Sequence, residues 1–238
     1  MMFSVTKSHR KGESFSTRHR STQETPVQAS PPLTSAIVTL YIGHEQRTFA
    51  AHEDVLCHSP YFAAMLREQY FEPSNRRIEL PDEEPEVFSC ILEYLYKGDY
   101  TPRMEYDKRR RSWQLENSSA DPTVWLTGVC VPILRDTVVY CAATRYGLED
   151  LTRVALRKQG LQTGIQCSTI LSSARYAYAN TPETDSKLRA HYLTLIIRSR
   201  QTFKRSGTMQ NEMEAGGRLF FDLFVAMVNH MDEMKSPR

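Results

Sequence analysis

The sequence of 238 residues contains no long hydrophobic run. Its apolar stretches, such as the one at 223–228, fall far short of the about 18 residues that a membrane-spanning helix requires. Residues 1–30 also contain no apolar segment of the kind that a secretory signal carries. We therefore expect no membrane partner and a location in the cytoplasm or the nucleus.

Cysteines are few and scattered. The chain contains no C-x-x-C pair. Its cysteines are five, an odd number: Cys57, Cys90, Cys130, Cys141 and Cys167. This pattern argues against a disulfide framework and against a zinc site. A reducing compartment is therefore expected, and no metal ion.

Sequence signatures of nucleotide binding and of hydrolytic catalysis are missing as well. The chain has no G-x-x-x-x-G-K-[ST] phosphate loop, no G-x-G-x-x-G dinucleotide motif, no G-x-S-x-G nucleophile motif and no H-E-x-x-H zinc motif. We therefore predict a protein that is not an enzyme. It should have no catalytic residues, no cofactor and no small-molecule substrate.

A net charge of one sign is also lacking, since 30 basic and 28 acidic residues nearly cancel. The distribution along the chain is uneven, however. Residues 35–100 contain five basic and twelve acidic side chains, which argues against nucleic acid as a partner there. Residues 1–34 contain five basic and two acidic side chains and no periodic apolar pattern, and they are predicted to form a disordered basic tail.

From residue 35 onward, local patterns predict strands and helices. A hairpin is predicted over 36–50 with a turn at Gly43, and a short strand at 77–80. The acidic run Asp82-Glu83-Glu84 is interpreted as a solvated helix start. Helices are predicted after Ser59-Pro60, after Glu84-Pro85, after Thr181-Pro182 over 183–204, and at 133–146, 148–160, 166–178 and 214–234.

Residues 101–132 interrupt this pattern and are predicted to form a long inserted loop. The loop carries a basic run of four residues, Lys108, Arg109, Arg110 and Arg111. Two interpretations of the run stay open. It is either a nuclear-import or acidic-partner motif, or a solvated charge cluster without a partner.

The last predicted helix is very apolar, since nine of the ten residues over 219–228 are hydrophobic. A helix of this composition is buried on more than one side or docks a partner. The candidate partner-binding residues are Phe220, Leu223, Phe224, Met227 and Met231. Packing of the same residues into the core is the alternative.

The segment FAAHEDVLCHSPYFAAM at 49–65 resembles the central signature of the BTB/POZ family, in which F-x-x-H precedes S-x-Y-F-x-x-M. Later segments are similar to further family elements in the same order: IELPD at 78–82, LEYLYKGDY at 92–100 and YCAATRYGLEDL at 140–151. The resemblance implies an α+β fold in which a small β-sheet is capped by a helical cluster. An all-helical extension follows, as in stand-alone members of the fungal type.

This resemblance divides the chain into three expected parts. The disordered basic tail occupies 1–34. A BTB/POZ domain occupies 35–160 and contains the inserted loop 101–132. A helical C-terminal extension occupies 161–238.

The family implies a non-enzymatic protein-interaction module. Many members are substrate adaptors that dock on a cullin scaffold of a ubiquitin ligase complex, and many dimerise, so a cullin and a second copy are expected partners. In such adaptors, a hydrophobic-x-Glu motif after the S-x-Y-F-x-x-M helix contacts the cullin, and Tyr70, Phe71 and Glu72 match it. Tyr70 and Phe71 could instead only close a helix onto the core. The alternative function is a nuclear scaffold or transcriptional co-regulator that acts through the BTB domain and the basic segments.

Overall fold

The computed structural model describes residues 35–68, 76–116 and 121–235. The strands in this part of the chain are β1 (Ile37–Ile42), β2 (Arg47–His52), β3 (Arg77–Leu80), β4 (Met104–Asp107), β5 (Ser112–Leu115), β6 (Thr123–Leu126) and β7 (Val131–Leu134). The helices are α1 (Glu53–Leu56), α2 (Pro60–Glu68), α3 (Pro85–Lys97), α4 (Arg135–Arg145), α5 (Glu149–Gln159), α6 (Cys167–Asn180), α7 (Lys187–Arg198), α8 (Arg200–Phe203), α9 (Gly207–Ala215) and α10 (Arg218–Lys235).

The predicted hairpin and short strand form one three-stranded sheet in the order β2-β1-β3. Strand β1 is antiparallel to β2 and parallel to β3, with Leu40 opposite Phe49 and Ile78. Alternate residues of β1 are fully buried, namely Val38, Leu40 and Ile42. Because side chains alternate between the two faces of a strand, this face of β1 lies against the helices.

Helices cover the sheet, as the family resemblance implies. Buried side chains of α2, α3 and α4 belong to one hydrophobic core with those of β1, and its aromatic centre joins Phe62, Phe88 and Tyr146. Helix α3 begins at Pro85 as predicted, where a proline at the first helical position loses no intrahelical hydrogen bond. The α+β fold class is confirmed.

Gly147 lies just after the end of α4, as predicted for a glycine that terminates a helix. Its φ of +69° lies in the left-handed region, which side chains with a Cβ rarely adopt. A Cβ at this position would also stand 3.2 Å from Cδ of Pro60, at the start of α2. A residue without a side chain is therefore required where α4 passes α2.

The prediction of a long loop over 101–132 is wrong for the described residues. This region contains two β-hairpins, β4–β5 and β6–β7. Each strand has only four residues, and those of β4 and β5 are exposed or half-buried, so no apolar alternation marks them in the sequence. In the second hairpin, Val124 and Ile133 are paired and buried.

The boundaries of the C-terminal helices also differ from those predicted. Thr181 does not begin a helix but caps the end of α6, where its hydroxyl donates to the carbonyl of Ala177 (2.7 Å). The predicted helix at 183–204 is divided into α7 and α8. The one at 214–234 begins only at Arg218, as α10, directly after Gly216 and Gly217, which both have positive φ, and the preceding helix α9 was not predicted. In the described part of the chain, no helix is both long and apolar enough to cross a bilayer.

Candidate interaction surfaces

The residues predicted to contact a cullin follow helix α2. Tyr70, Phe71 and Glu72 lie outside the described residues. Helix α2 itself is amphipathic, with Phe62 and Leu66 in the core and Ala64, Arg67 and Glu68 exposed. The outer face of α2 is therefore open to solvent up to the residues that precede the motif.

The signature residues around α2 have structural roles. The Ser59 hydroxyl donates to the carbonyl of Tyr146 (2.7 Å) and accepts from the backbone N–H of Phe62 (3.4 Å), so it caps α2 and joins it to α4. The Tyr96 hydroxyl lies 2.7 Å from Nδ1 of His52 and accepts from the His52 backbone N–H (2.9 Å). His52 therefore joins the end of β2 to α3.

Glu83 is buried, and the prediction that its acidic run is solvated is wrong for this residue. Its carboxylate accepts from Arg145 (2.9 Å) and from the hydroxyl of Tyr146. Burial raises the pKa of Glu83, and the Arg145 guanidinium opposes that rise. This network connects the turn before α3 to the end of α4.

Lys158 forms the most buried ionic cluster of the described residues. Its side chain has 0% exposure, and Nζ lies 2.6 Å from Oδ1 of Asp99. The ammonium also donates to the carbonyls of Pro102 (2.7 Å) and Tyr100, and it lies 3.6 Å from the centre of the Tyr100 ring. Burial lowers the pKa of Lys158, and Asp99 counteracts this effect.

A second buried contact holds the same segment. The Tyr100 hydroxyl donates to Oδ1 of Asp136 (2.7 Å), and Gln162 donates to Oδ2 (2.8 Å). Burial raises the pKa of Tyr100 well above its ordinary value, so the hydroxyl keeps the proton that it donates. Together with Lys158, this contact fixes the chain between α3 and the β4–β5 hairpin against α4 and α5.

Sequence reasoning missed Lys158, although one signal was available. Lys158 follows Leu151 by seven residues and Ala155 by three, which places it on the buried face of α5. A lysine on the apolar face of a helix indicates either that the face is exposed at that end of the helix or that the lysine forms a buried ion pair. No comparable signal marks Asp99, whose position beside Lys158 depends on the tertiary fold.

The basic run is displayed by the turn between β4 and β5. Lys108, Arg109, Arg110 and Arg111 are all exposed. Oδ1 of Asp107 accepts from the backbone N–H groups of Arg109 (2.7 Å) and Arg110 (3.1 Å), which fixes the turn. Among the four side chains, Arg110 makes a long ion pair with Asp107 (3.8 Å). The turn therefore presents four positive charges to solvent on a folded hairpin.

Exposed aromatic rings lie beside this turn. Tyr106 and Trp113 face each other across the hairpin with ring centres 5.4 Å apart, and both are partly exposed. The guanidinium of Arg157 lies 5.2 Å from the centre of the Trp113 ring, which joins the hairpin to α5. The strands of the hairpin are thus attached to α5, while its turn carries the positive charges.

The structure separates the five candidate residues of α10 into two groups. Phe220 and Leu223 are buried against the rest of the chain, so for them the core-packing alternative holds. Phe224, Met227 and Met231 are exposed. An apolar face of α10 therefore remains open to solvent in the described part of the chain.

The two buried cysteine thiols are weakly reactive. Burial raises the pKa of Cys90 to about 11 and that of Cys141 to about 12, so both thiols stay protonated at neutral pH and are poor nucleophiles. Within the described ranges, no group of three or more His, Cys, Asp or Glu side chains is placed to hold a metal ion.

Comparison with known proteins agrees with the signature. Residues 36–109 match the family model of the BTB/POZ domain. Kelch-like protein 38 of Danio rerio is 37% identical to this chain over 62 residues. That alignment covers 26% of this chain and only 11% of the relative. The family match extends from the start of the three-stranded sheet into the basic turn of the β4–β5 hairpin.

Proposed function

Since residues 36–109 form a BTB/POZ domain, which is a protein-interaction module, we propose that this chain is a substrate adaptor of a cullin ubiquitin ligase. It acts by binding and not by catalysis. Its interaction unit spans 35–160, and the helices of 161–238 form an extension of that unit. Tyr70, Phe71 and Glu72 contact the cullin.

One observation carries this proposal. The signature segment folds as β2, α1 and α2, and its apolar residues Val55, Leu56 and Phe62 are fully buried. Because these residues form the core, the outer face of α2 is available to a partner. An aromatic side chain beside a carboxylate is an arrangement that often supplies much of the affinity of an interface.

A binding experiment with the full chain tests the cullin contact. The double substitution Tyr70→Ala/Glu72→Ala should weaken binding to the host's BTB-binding cullin at least tenfold, because it removes the anchor and the charge of the motif. The measurement is biolayer interferometry with the purified cullin N-terminal domain.

The matched control is Glu105→Ala/Tyr106→Ala, which removes an exposed glutamate and an exposed tyrosine from β4. This control should bind as the wild-type chain does. The cullin contact is excluded if the wild-type chain does not bind, or if the two double variants bind equally well.

A second function, that of a nuclear scaffold, is favoured by the exposed basic turn. We propose it as the alternative to the adaptor.

Replacing Lys108, Arg109, Arg110 and Arg111 with Ala should abolish nuclear accumulation of the chain fused to a reporter too large for passive entry. The control replaces three exposed basic residues of another surface with Ala, namely Arg200, Lys204 and Arg205. It should leave the nuclear fraction unchanged. An unchanged nuclear fraction after the first replacement would exclude this role of the turn.

A further inference from the structure

Helix α10 exposes large apolar side chains along its length. Phe221 is 67% exposed, Phe224 66% and Met231 46%. Leu219, Phe220 and Leu223 hold the opposite side of the helix in the core, where α10 contacts α6 and α7. A soluble surface rarely leaves two neighbouring phenylalanines this open unless another surface covers them.

The exposed residues Phe221, Phe224 and Met231, together with the half-buried Val228, follow a heptad spacing. Phe221, Phe224, Val228 and Met231 are separated by three, four and three residues, which is the a/d pattern of a helix that packs against another helix. On an ideal helix these four positions lie within an arc of about 80°. Val225 and Met227, also exposed, flank this stripe. The stripe therefore fits one partner helix of similar length.

The charges at the two ends of the stripe favour a second copy as the partner, although Arg218 already forms an exposed ion pair with Glu183 of its own chain. Arg218 and Asp232 lie 14 residues apart, so both occupy the position after d in the heptad, beside the stripe. If two copies of α10 run antiparallel, with Phe224 of each against Val228 of the other, Arg218 of one copy faces Asp232 of the other. A parallel pair does not bring these opposite charges together.

We propose that two copies of this chain associate through antiparallel packing of α10. The contact is isologous, because each copy supplies the same stripe and the same two charges. Phe221 of one copy packs against Met231 of the other, a combination in which the thioether and the aromatic ring attract each other. Asp232 gains Arg218 of the other copy as an ionic partner.

The area available is sufficient for a reversible dimer. A phenylalanine buries about 150–250 Å² in a core, and about two thirds of that area is still open at Phe221 and Phe224. Four such rings, together with the valines and methionines of both copies, bring the interface near the roughly 1,000 Å² that a specific contact requires. We therefore expect dissociation in the micromolar range.

Sedimentation equilibrium of the full chain tests the dimer. The wild-type chain should dimerise at micromolar concentration, and Phe224→Glu should weaken the dimer by about 100-fold, because each interface would then bury two carboxylates against apolar side chains. Asn229→Glu is the control, since Asn229 is exposed on α10 but lies outside the stripe. Both variants should keep the wild-type circular dichroism spectrum.

A charge exchange tests the antiparallel direction. In a Glu183→Gln background, which removes the charge that pairs with Arg218 within its own chain, Arg218→Glu and Asp232→Arg should each weaken the dimer about three- to tenfold, since each places like charges together at both ends of the stripe. The double variant restores opposite charges and should recover most of the affinity. If the double variant loses as much dimer affinity as the two single variants lose together, the antiparallel arrangement is wrong.

The proposal is overturned if the wild-type chain is monomeric at about 100 µM, or if its dimer is insensitive to Phe224→Glu, in which case another surface joins the copies. Cullin binding is measured separately, and Phe224→Glu should leave it unchanged because α10 is distinct from α2 and the segment after it. Failure of one proposal can therefore be told from failure of the other.

Discussion

Replacing Lys158 with Met is expected to lower the free energy of unfolding by about 3–4 kcal/mol. The substitution keeps the apolar stem but removes the ammonium from a site with 0% exposure. The carbonyls of Tyr100 and Pro102 then lose their partner, and Asp99 is left without its counter-charge. For a chain of this length, the loss corresponds to a decrease in melting temperature of about 6–16 °C.

Lys97→Met is the matched control. Lys97 forms an ion pair with Glu93 (3.0 Å) on the surface of α3, and its side chain is half exposed. An exposed pair of this kind contributes about 0.2–1 kcal/mol. Urea denaturation of both variants measures the difference, and equal costs would show that Lys158 is not an essential part of the core.

The partner of Lys158 gives a second check. Asp99→Asn removes the charge and keeps one acceptor oxygen, for the backbone N–H of Tyr100, but it loses the second oxygen, which accepts from the backbone N–H of Met104. If the two charges depend on each other, the double variant Lys158→Met/Asp99→Asn should cost clearly less than the sum of the single substitutions. Additive costs would mean that the carbonyl contacts, and not the ion pair, account for the effect.

Replacing Phe62 with Ala is expected to cost about 3–5 kcal/mol. Phe62 has 0% exposure, and its ring centre lies 4.8 Å from that of Tyr146 and 6.2 Å from that of Phe88. Its removal leaves a cavity between α2, α3 and α4. The loss should also loosen α2 and weaken any partner contact that depends on its position.

Tyr61→Ala provides the comparison, since Tyr61 precedes Phe62 in α2 but is 38% exposed. Its ring packs on Tyr146 from the surface (5.1 Å), so its removal should cost only about 1–2 kcal/mol. Urea denaturation followed by tryptophan fluorescence measures both variants. If Tyr61→Ala costs as much as Phe62→Ala, the aromatic centre is not the main support of α2.

Local features of the chain were predictable because their causes are local. The alternation of β1, the proline at the start of α3 and the stop at Gly147 are set by backbone preferences within a few residues. The signature segment likewise predicted β2 and α2. The β4–β5 hairpin was missed because its strands of four residues are mostly exposed and have no apolar pattern to detect. The strands of the β6–β7 hairpin contain buried residues, but four residues are too few for an alternation to be recognised.

The amino-acid sequence was thus sufficient to predict the fold class, the family of the domain and the apolar character of α10. Tertiary packing buries Glu83 and Lys158, which could not be predicted because their partners Arg145 and Asp99 are distant along the chain. It also decided which side of α10 is covered, by placing Leu223 in the core and leaving Phe224 in solvent. Hydrophobic periodicity shows that a helix has an apolar face, but neighbouring helices determine how much of that face they bury.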